Sequence, residues 1–204
     1  MLHRMQFACI ACVFVWHAFL QVAVQITIMG FKILIILLML LACCSNHLFA
    51  QNENAKIKAI QQIYKRTNQL SGFKKLTLQN EAFLENVPDG GGTLTGYFKK
   101  GILYKIKEWV GLSYGIVETE YYINKNALVF AYVKERHFKM VNDEVDYKTT
   151  IPAYEGRFYF DQNKLLRMIQ KGEGLWSTAQ DSALPLQEDS KRYIELLYKK
   201  NKGH

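Results

Sequence analysis

Cysteine is confined to the first fifty residues of this 204-residue chain, at Cys9, Cys12, Cys43 and Cys44. Residues 51–204 therefore have no thiol for nucleophilic or redox chemistry, no cysteine zinc site and no disulfide. Histidine is nearly as scarce there, with only His137 and His204 in the basic tail, so a His-rich metal centre is excluded. His137 is the one imidazole left for a Ser-His-Asp arrangement, and no serine sits in a nucleophile elbow to use it. In Lys134-Glu135-Arg136-His137 it reads as a strand-end residue. Three prolines rule out a polyproline or low-complexity chain. Residues 1–50 lack acidic side chains and carry only Arg4 and Lys32 as firm charges, which leaves 24 Lys or Arg against 18 Asp or Glu in 51–204. That surplus of cations is spread along the chain and marks no nucleic-acid footprint, so neither a nucleic acid, a metal nor a cofactor is expected.

Two apolar runs occupy the N-terminal fifty residues. Met5–Met29 contains no formal charge, and Ile33–Cys44 is shorter than the roughly 20 residues a membrane-spanning helix needs. Read from Met29, residues 29–50 have the parts of a signal peptide: Lys32 as the positive region, Ile33–Cys44 as the apolar region, and Ala50 as the small residue before cleavage. Residues 1–28 then fit an over-extended start, or a membrane helix that anchors the protein through its N-terminal segment. Leu40-Leu41-Ala42-Cys43 also has the pattern of a lipobox, which makes Cys43 a candidate for lipidation. Each reading exports the remainder across the inner membrane, to the periplasm or beyond.

The exported domain, 51–204, reads as α+β. Ile57, Ile60, Ile63, Tyr64 and Thr67 keep helical spacing and predict a helix over 51–71, ended by Ser71-Gly72. Phe73–Val87 is weakly patterned, and Pro88-Asp89-Gly90-Gly91-Gly92 reads as a turn or hinge because it lacks the Lys-Ser/Thr of a phosphate loop. A sheet is expected over 93–170, where residues 97–160 hold nine tyrosines, five phenylalanines and Trp109. A second helix is expected over 187–201, capped by Asp189 or Ser190, with Tyr193, Ile194, Leu197 and Tyr198 on one stripe. Tyr97–Leu103, Tyr121–Leu128 and Phe158–Leu165 share a plan: an aromatic pair, a polar turn with Gly or Asn, then a leucine on the outgoing strand. Three hairpins of this kind predict an antiparallel meander of about six strands, with the N- and C-terminal helices packed on it.

This repeated unit resembles the aromatic hairpins of MORN-like and Tyr-Asp repeats over 97–166, at an irregular spacing. The whole chain resembles small exported proteins of unknown function from Gram-negative bacteria. The resemblance implies an extracytoplasmic role and carries no catalytic residue to this sequence.

Two groups of residues are candidates for function. Glu118 and Glu120 lie two apart on a predicted strand, so both point to one face with Cβ atoms about 7 Å apart. That spacing suits an acid/base pair acting on a sugar, and equally the wet side of a half-exposed strand. On the strand before it, Ile102, Tyr104 and Ile106 are expected to face the core. Lys105, Lys107 and Trp109 then fall on the outer face, where an indole beside ammonium groups suits a glycan, a peptide or an acidic polymer. Trp176, in Gly174-Leu175-Trp176-Ser177, is a second binding candidate. The function these features favour is an exported binding or structural module with an envelope protein, peptide or glycan as partner. A small glycan-acting hydrolase and a membrane-anchored protein with an external domain are the alternatives.

Overall fold

Buried and half-exposed residues alternate through most of the chain after residue 91, the signature of strands with one face on a core. The computed structural model describes residues 52–162, 164–174 and 183–202. The expected signal segment, Cys43, Trp176 and His204 lie outside them. Helix α1 spans residues 52–69. Seven strands follow: β1 Lys74–Gln79, β2 Gly92–Lys99, β3 Ile102–Leu112, β4 Gly115–Asn124, β5 Ala127–Val141, β6 Glu144–Asp161 and β7 Lys164–Gly172; helix α2, Ala183–Asn201, closes the chain. The strands pair in sequence order, all antiparallel, in a single seven-stranded meander.

The α+β meander with a helix at each end is thus present, with seven strands in place of six. The additional strand is β1, which begins the stretch that reads as weakly patterned. Of its residues only Leu78 is buried, and its exposed Lys74 and Lys75 suit a sheet edge, where charge discourages unwanted pairing. After it a 3-10 turn, Asn80–Ala82, lets the Asn80 Oδ1 accept a hydrogen bond from the Gly92 amide at 2.9 Å, bridging the loop to β2.

The three aromatic hairpins are β2–β3, β4–β5 and β6–β7, and they share a bulge. Phe98 pairs with Leu103, Ile123 with Leu128 and Phe160 with Leu165, after which Tyr104, Val129 and Leu166 are each skipped by the opposite strand. The extra residue rotates the outgoing strand, so Leu103 and Lys105 face opposite sides although they are two apart. This overturns the expectation for Ile102 and Tyr104. Ile102 is exposed, Leu103 takes the core position, and the Tyr104 ring lies against Phe73 instead.

On the inner face, Leu94, Phe98, Leu103, Ile106, Tyr121, Ile123, Leu128, Val133, Phe158 and Phe160 form one cluster with Leu186, Tyr193 and Leu197 of α2. The helix begins at Ala183, earlier than its sequence pattern suggests. Pro185 belongs to its first turn, where a missing amide costs nothing. Asp189 and Ser190 are interior residues rather than caps. Ser190 is buried and donates its hydroxyl to the Gln187 carbonyl, while Asp189 pairs with Arg192. On the opposite, outer face, Ile57 and Ile60 of α1 cover Tyr122, Phe130 and Tyr159. Arg167 holds the start of α1 through Glu53 (2.8 Å), and Lys56 reaches Asp161 (2.6 Å).

The glycine-rich run is a turn. The Gly91 amide donates to the Pro88 carbonyl, and the Gly111 amide to Gly91. The Gly90 and Gly111 backbones pass so closely that a Cβ on Gly111 would lie 2.9 Å from the Gly90 Cα. Gly101 is a different case, with open space around it but φ of +77° in the β2–β3 turn. We expect Gly111→Ala to cost about 1–3 kcal/mol by forcing backbones apart, and Gly101→Ala about 1 kcal/mol by strain alone. Urea midpoints of the two variants check the order.

Candidate functional site

The strand period brings the predicted candidates together. With the bulge at Tyr104, Lys105, Lys107 and Trp109 of β3 all lie on the outer face, as do Glu118, Glu120 and Tyr122 of β4, because Trp109 opposes Glu118, Lys107 opposes Glu120 and Lys105 opposes Tyr122. The next two strands add residues that the sequence reading did not select. Lys134, Tyr132 and Phe130 of β5 oppose that row, and Glu155, Arg157 and Tyr159 of β6 oppose them in turn. Their signal was present in the alternation of Phe130, Tyr132, Lys134 and Arg136 with the apolar Ala131 and Val133. The β-branched and aromatic density hid it, because both faces of this strand carry apolar side chains.

Each carboxylate on this face is held by a cation. The Glu118 oxygens accept from Lys107 (2.9 Å) and Arg136 (3.0 Å), diagonal and cross-strand neighbours that a single strand's sequence cannot reveal. Glu120 accepts from Lys105 (2.9 Å) and from the Tyr122 hydroxyl (2.8 Å), which also lies 3.0 Å from Asn68 of α1. Burial alone would raise the Glu120 carboxyl. Lys105, by hydrogen bond and charge, and the Tyr122 hydroxyl outweigh that and hold it below the usual carboxylate range. On β6, Glu155 is likewise lowered, chiefly by the Tyr132 hydroxyl and then by Arg157, whose guanidinium contacts it at 2.6 Å. Lys134 stands over the Tyr132 ring at 4.8 Å and Arg157 over the same ring at 5.5 Å. Trp109, Tyr132, Lys107 and Lys134 are half-exposed and Arg157 is exposed, so this face offers rings and cations to flat, polar ligands.

Where α1 meets this face, a groove of about 380 Å³ opens between Ile60, Gln61, Tyr64 and Lys65 on the helix and Phe130, Tyr132, Arg157 and Tyr159 on the sheet.

Two titratable clusters lie on the inner face. Glu108 of β3 is buried and accepts hydrogen bonds from Tyr193 of α2 (2.6 Å) and Tyr121 of β4 (2.9 Å). Desolvation raises its carboxyl, and the two hydroxyl donors recover only part of that shift. His137 is half-exposed near the end of the β4–β5 pairing, with its Nε2 2.7 Å from buried Glu135 and its ring edge-on to Tyr114.

No family model, curated protein or solved structure matches this chain. Among the described residues there is no cluster with metal-binding geometry, and no helix is long and apolar enough to cross a membrane.

Proposed function

We propose that this domain acts outside the cytoplasm as a recognition module, without a cofactor, and holds an envelope glycan on the outer face of its sheet. The observation that carries this reading is the joining, on one face, of half-exposed Trp109 and Tyr132 with ordered rows of lysine and arginine whose geometry is fixed by Glu118, Glu120 and Glu155. Rigid rings flanked by aligned donors read a planar polar ligand at low entropic cost. The ion pairs favour binding over hydrolysis. A glycosidase acid needs a raised carboxyl that keeps its proton, whereas Glu120 is lowered and stays ionised at neutral pH. The leader-like residues 29–50 and the resemblance of the hairpins to MORN-like and Tyr-Asp repeats of exported proteins support the same reading, as does the candidate lipid attachment at Cys43.

Retention of the purified protein on isolated envelope fragments tests this reading. Trp109→Ala should lower retention about tenfold, the loss expected of one stacking aromatic. Glu118→Gln with Glu120→Gln should lower retention by no more than about threefold, because each amide oxygen still accepts from the lysine and arginine donors that the carboxylate aligned, and should cost about 1 kcal/mol or less of stability per ion pair. Release of sugar from the fragments, abolished by the double Gln variant, would establish the hydrolase instead.

A further inference from the structure

The groove beside α1 differs in character from the sheet surface around it. Its floor is apolar and aromatic: Phe130 and Tyr159 are each 5% exposed and touch at 5.0 Å between ring centroids. Tyr64 and Tyr132 form its walls, and Tyr64 is fixed by ring contacts to Tyr122 (4.9 Å) and Phe130 (5.4 Å). Its volume of about 380 Å³ falls at the small end of ligand sites, room for one or two sugar rings rather than a folded partner. The lining holds two cations, Lys65 and Arg157, and no carboxylate. Arg157 is paired with Glu155 at 2.6 Å, as the lysines of β3 are with Glu120 and Glu118, and Lys65 adds to the lining a cation beyond those pairs.

We infer that this groove binds a single acidic sugar residue, its ring against the tyrosine walls and its carboxylate between Lys65 and Arg157. The inference rests on the recognition reading and makes the groove the place where the end or branch of an acidic glycan is read. Three features point to this occupant. The aromatic walls accept the apolar face of a pyranose. Gln61 and the tyrosine hydroxyls meet ring hydroxyls. A guanidinium and an ammonium lining the same groove suit a carboxylate better than a neutral ring. Glu155, bonded to the same Arg157, fixes the guanidinium over Tyr132 and so preorganises one side of the site.

The test is calorimetric or NMR titration of the intact protein with D-glucuronate, D-glucose and the dipeptide Ala-Ala. Glucuronate should bind saturably and about tenfold or more tightly than glucose, the ratio of one charge-assisted contact. Arg157→Gln and Lys65→Gln should each weaken glucuronate about fivefold or more and leave glucose unchanged. Both side chains are exposed, and unchanged melting curves would show that the fold is kept. Trp109→Ala should leave glucuronate affinity within about twofold while lowering retention on envelope fragments. That pattern separates the groove from the broader face. Equal binding of glucose and glucuronate, tighter binding of Ala-Ala, or no binding of either sugar would overturn the acidic-sugar site. Retention on the envelope that survives such a result would leave the recognition role standing.

Discussion

Glu108→Ala should destabilise the fold by about 3–5 kcal/mol, measured by urea unfolding at neutral pH. The side chain lies inside the sheet–α2 interface, where Tyr193 and Tyr121 both donate to it. Truncation removes two hydrogen bonds, leaves two buried hydroxyls short of an acceptor and opens a cavity. Tyr193 is 1% exposed and has no route to water without lifting α2 from the sheet. Glu108→Gln keeps an oxygen to accept from Tyr193 and an amide that can donate to the Tyr121 oxygen, so its cost at neutral pH should be far smaller.

The same residue sets part of the pH response. Its folded pKa is raised by desolvation above the ordinary value of 4.5. Below that value both folded and unfolded chains keep the proton, and the stability associated with this group is fully present. As pH rises, the unfolded chain loses its proton first. Stability is then lost until pH passes the raised folded value, at no more than about 1.4 kcal/mol per pH unit. Glu120 and Glu155 have the opposite sign, since their lowered pKa values add stability that is lost as pH falls through them. The difference between wild type and Glu108→Gln isolates the first effect. The variant should gain relative to the wild type as pH rises above about 4.5. A constant difference across that range would show that the carboxyl titrates alike in both states.

The sequence signals that succeeded are local ones. The spacing of Ile57, Ile60, Tyr64 and Thr67 marks α1, and Lys100-Gly101 and Lys125-Asn126 mark two of the turns, with φ positive at all four residues. Asn142-Asp143 also has φ positive at both positions, so the β5–β6 turn was readable from its residue types. The Ser113–Tyr114 turn was not, since neither residue takes a left-handed conformation that a sequence signal would flag. The irregular spacing of the aromatic units follows from strand length. β3 and β4 have 11 and 10 residues between the first two hairpin turns, whereas β5 and β6 have 15 and 18 between the second and third. Of the candidate site, Lys105, Lys107 and Trp109 were legible as one face of their strand, and Glu118 and Glu120 as one face of theirs, because a strand's period is two; that the two faces are the same follows from the register of β3 on β4. Their ion pairing, the partnership with Arg136 and the groove under α1 depend on cross-strand register and helix placement, which no short window contains. Glu108 carried a usable signal: two residues after buried Ile106, an acid on the core face requires partners, and Tyr121 and Tyr193 supply them.

Leu128→Ala should cost roughly 2–5 kcal/mol, because its side chain is 2% exposed at the centre of the inner-face cluster. It pairs with Ile123 as Leu103 pairs with Phe98 and Leu165 with Phe160, so it stands for a position used three times. The adjacent turn provides the control. Lys125 is exposed with φ of +51°, a conformation that alanine tolerates no worse than lysine, so Lys125→Ala should move stability by about 0.5 kcal/mol or less. Asn126, at φ of +61°, is a better left-handed residue than alanine, and its side chain accepts from the Tyr198 hydroxyl of α2 at 2.9 Å. Asn126→Ala therefore loses both a favourable turn conformation and a tie to the helix, at about 1–2 kcal/mol. Asn126→Gly restores the first and not the second, so it should fall between Asn126→Ala and the wild type. Denaturant midpoints in the order Leu128→Ala, Asn126→Ala, Asn126→Gly, Lys125→Ala, from least to most stable, would match a hairpin whose leucine anchors the core and whose turn also positions α2. If Leu128→Ala matched Lys125→Ala, the leucine would not be packed under the helix, and the equivalence of the three hairpins would fail at its middle member.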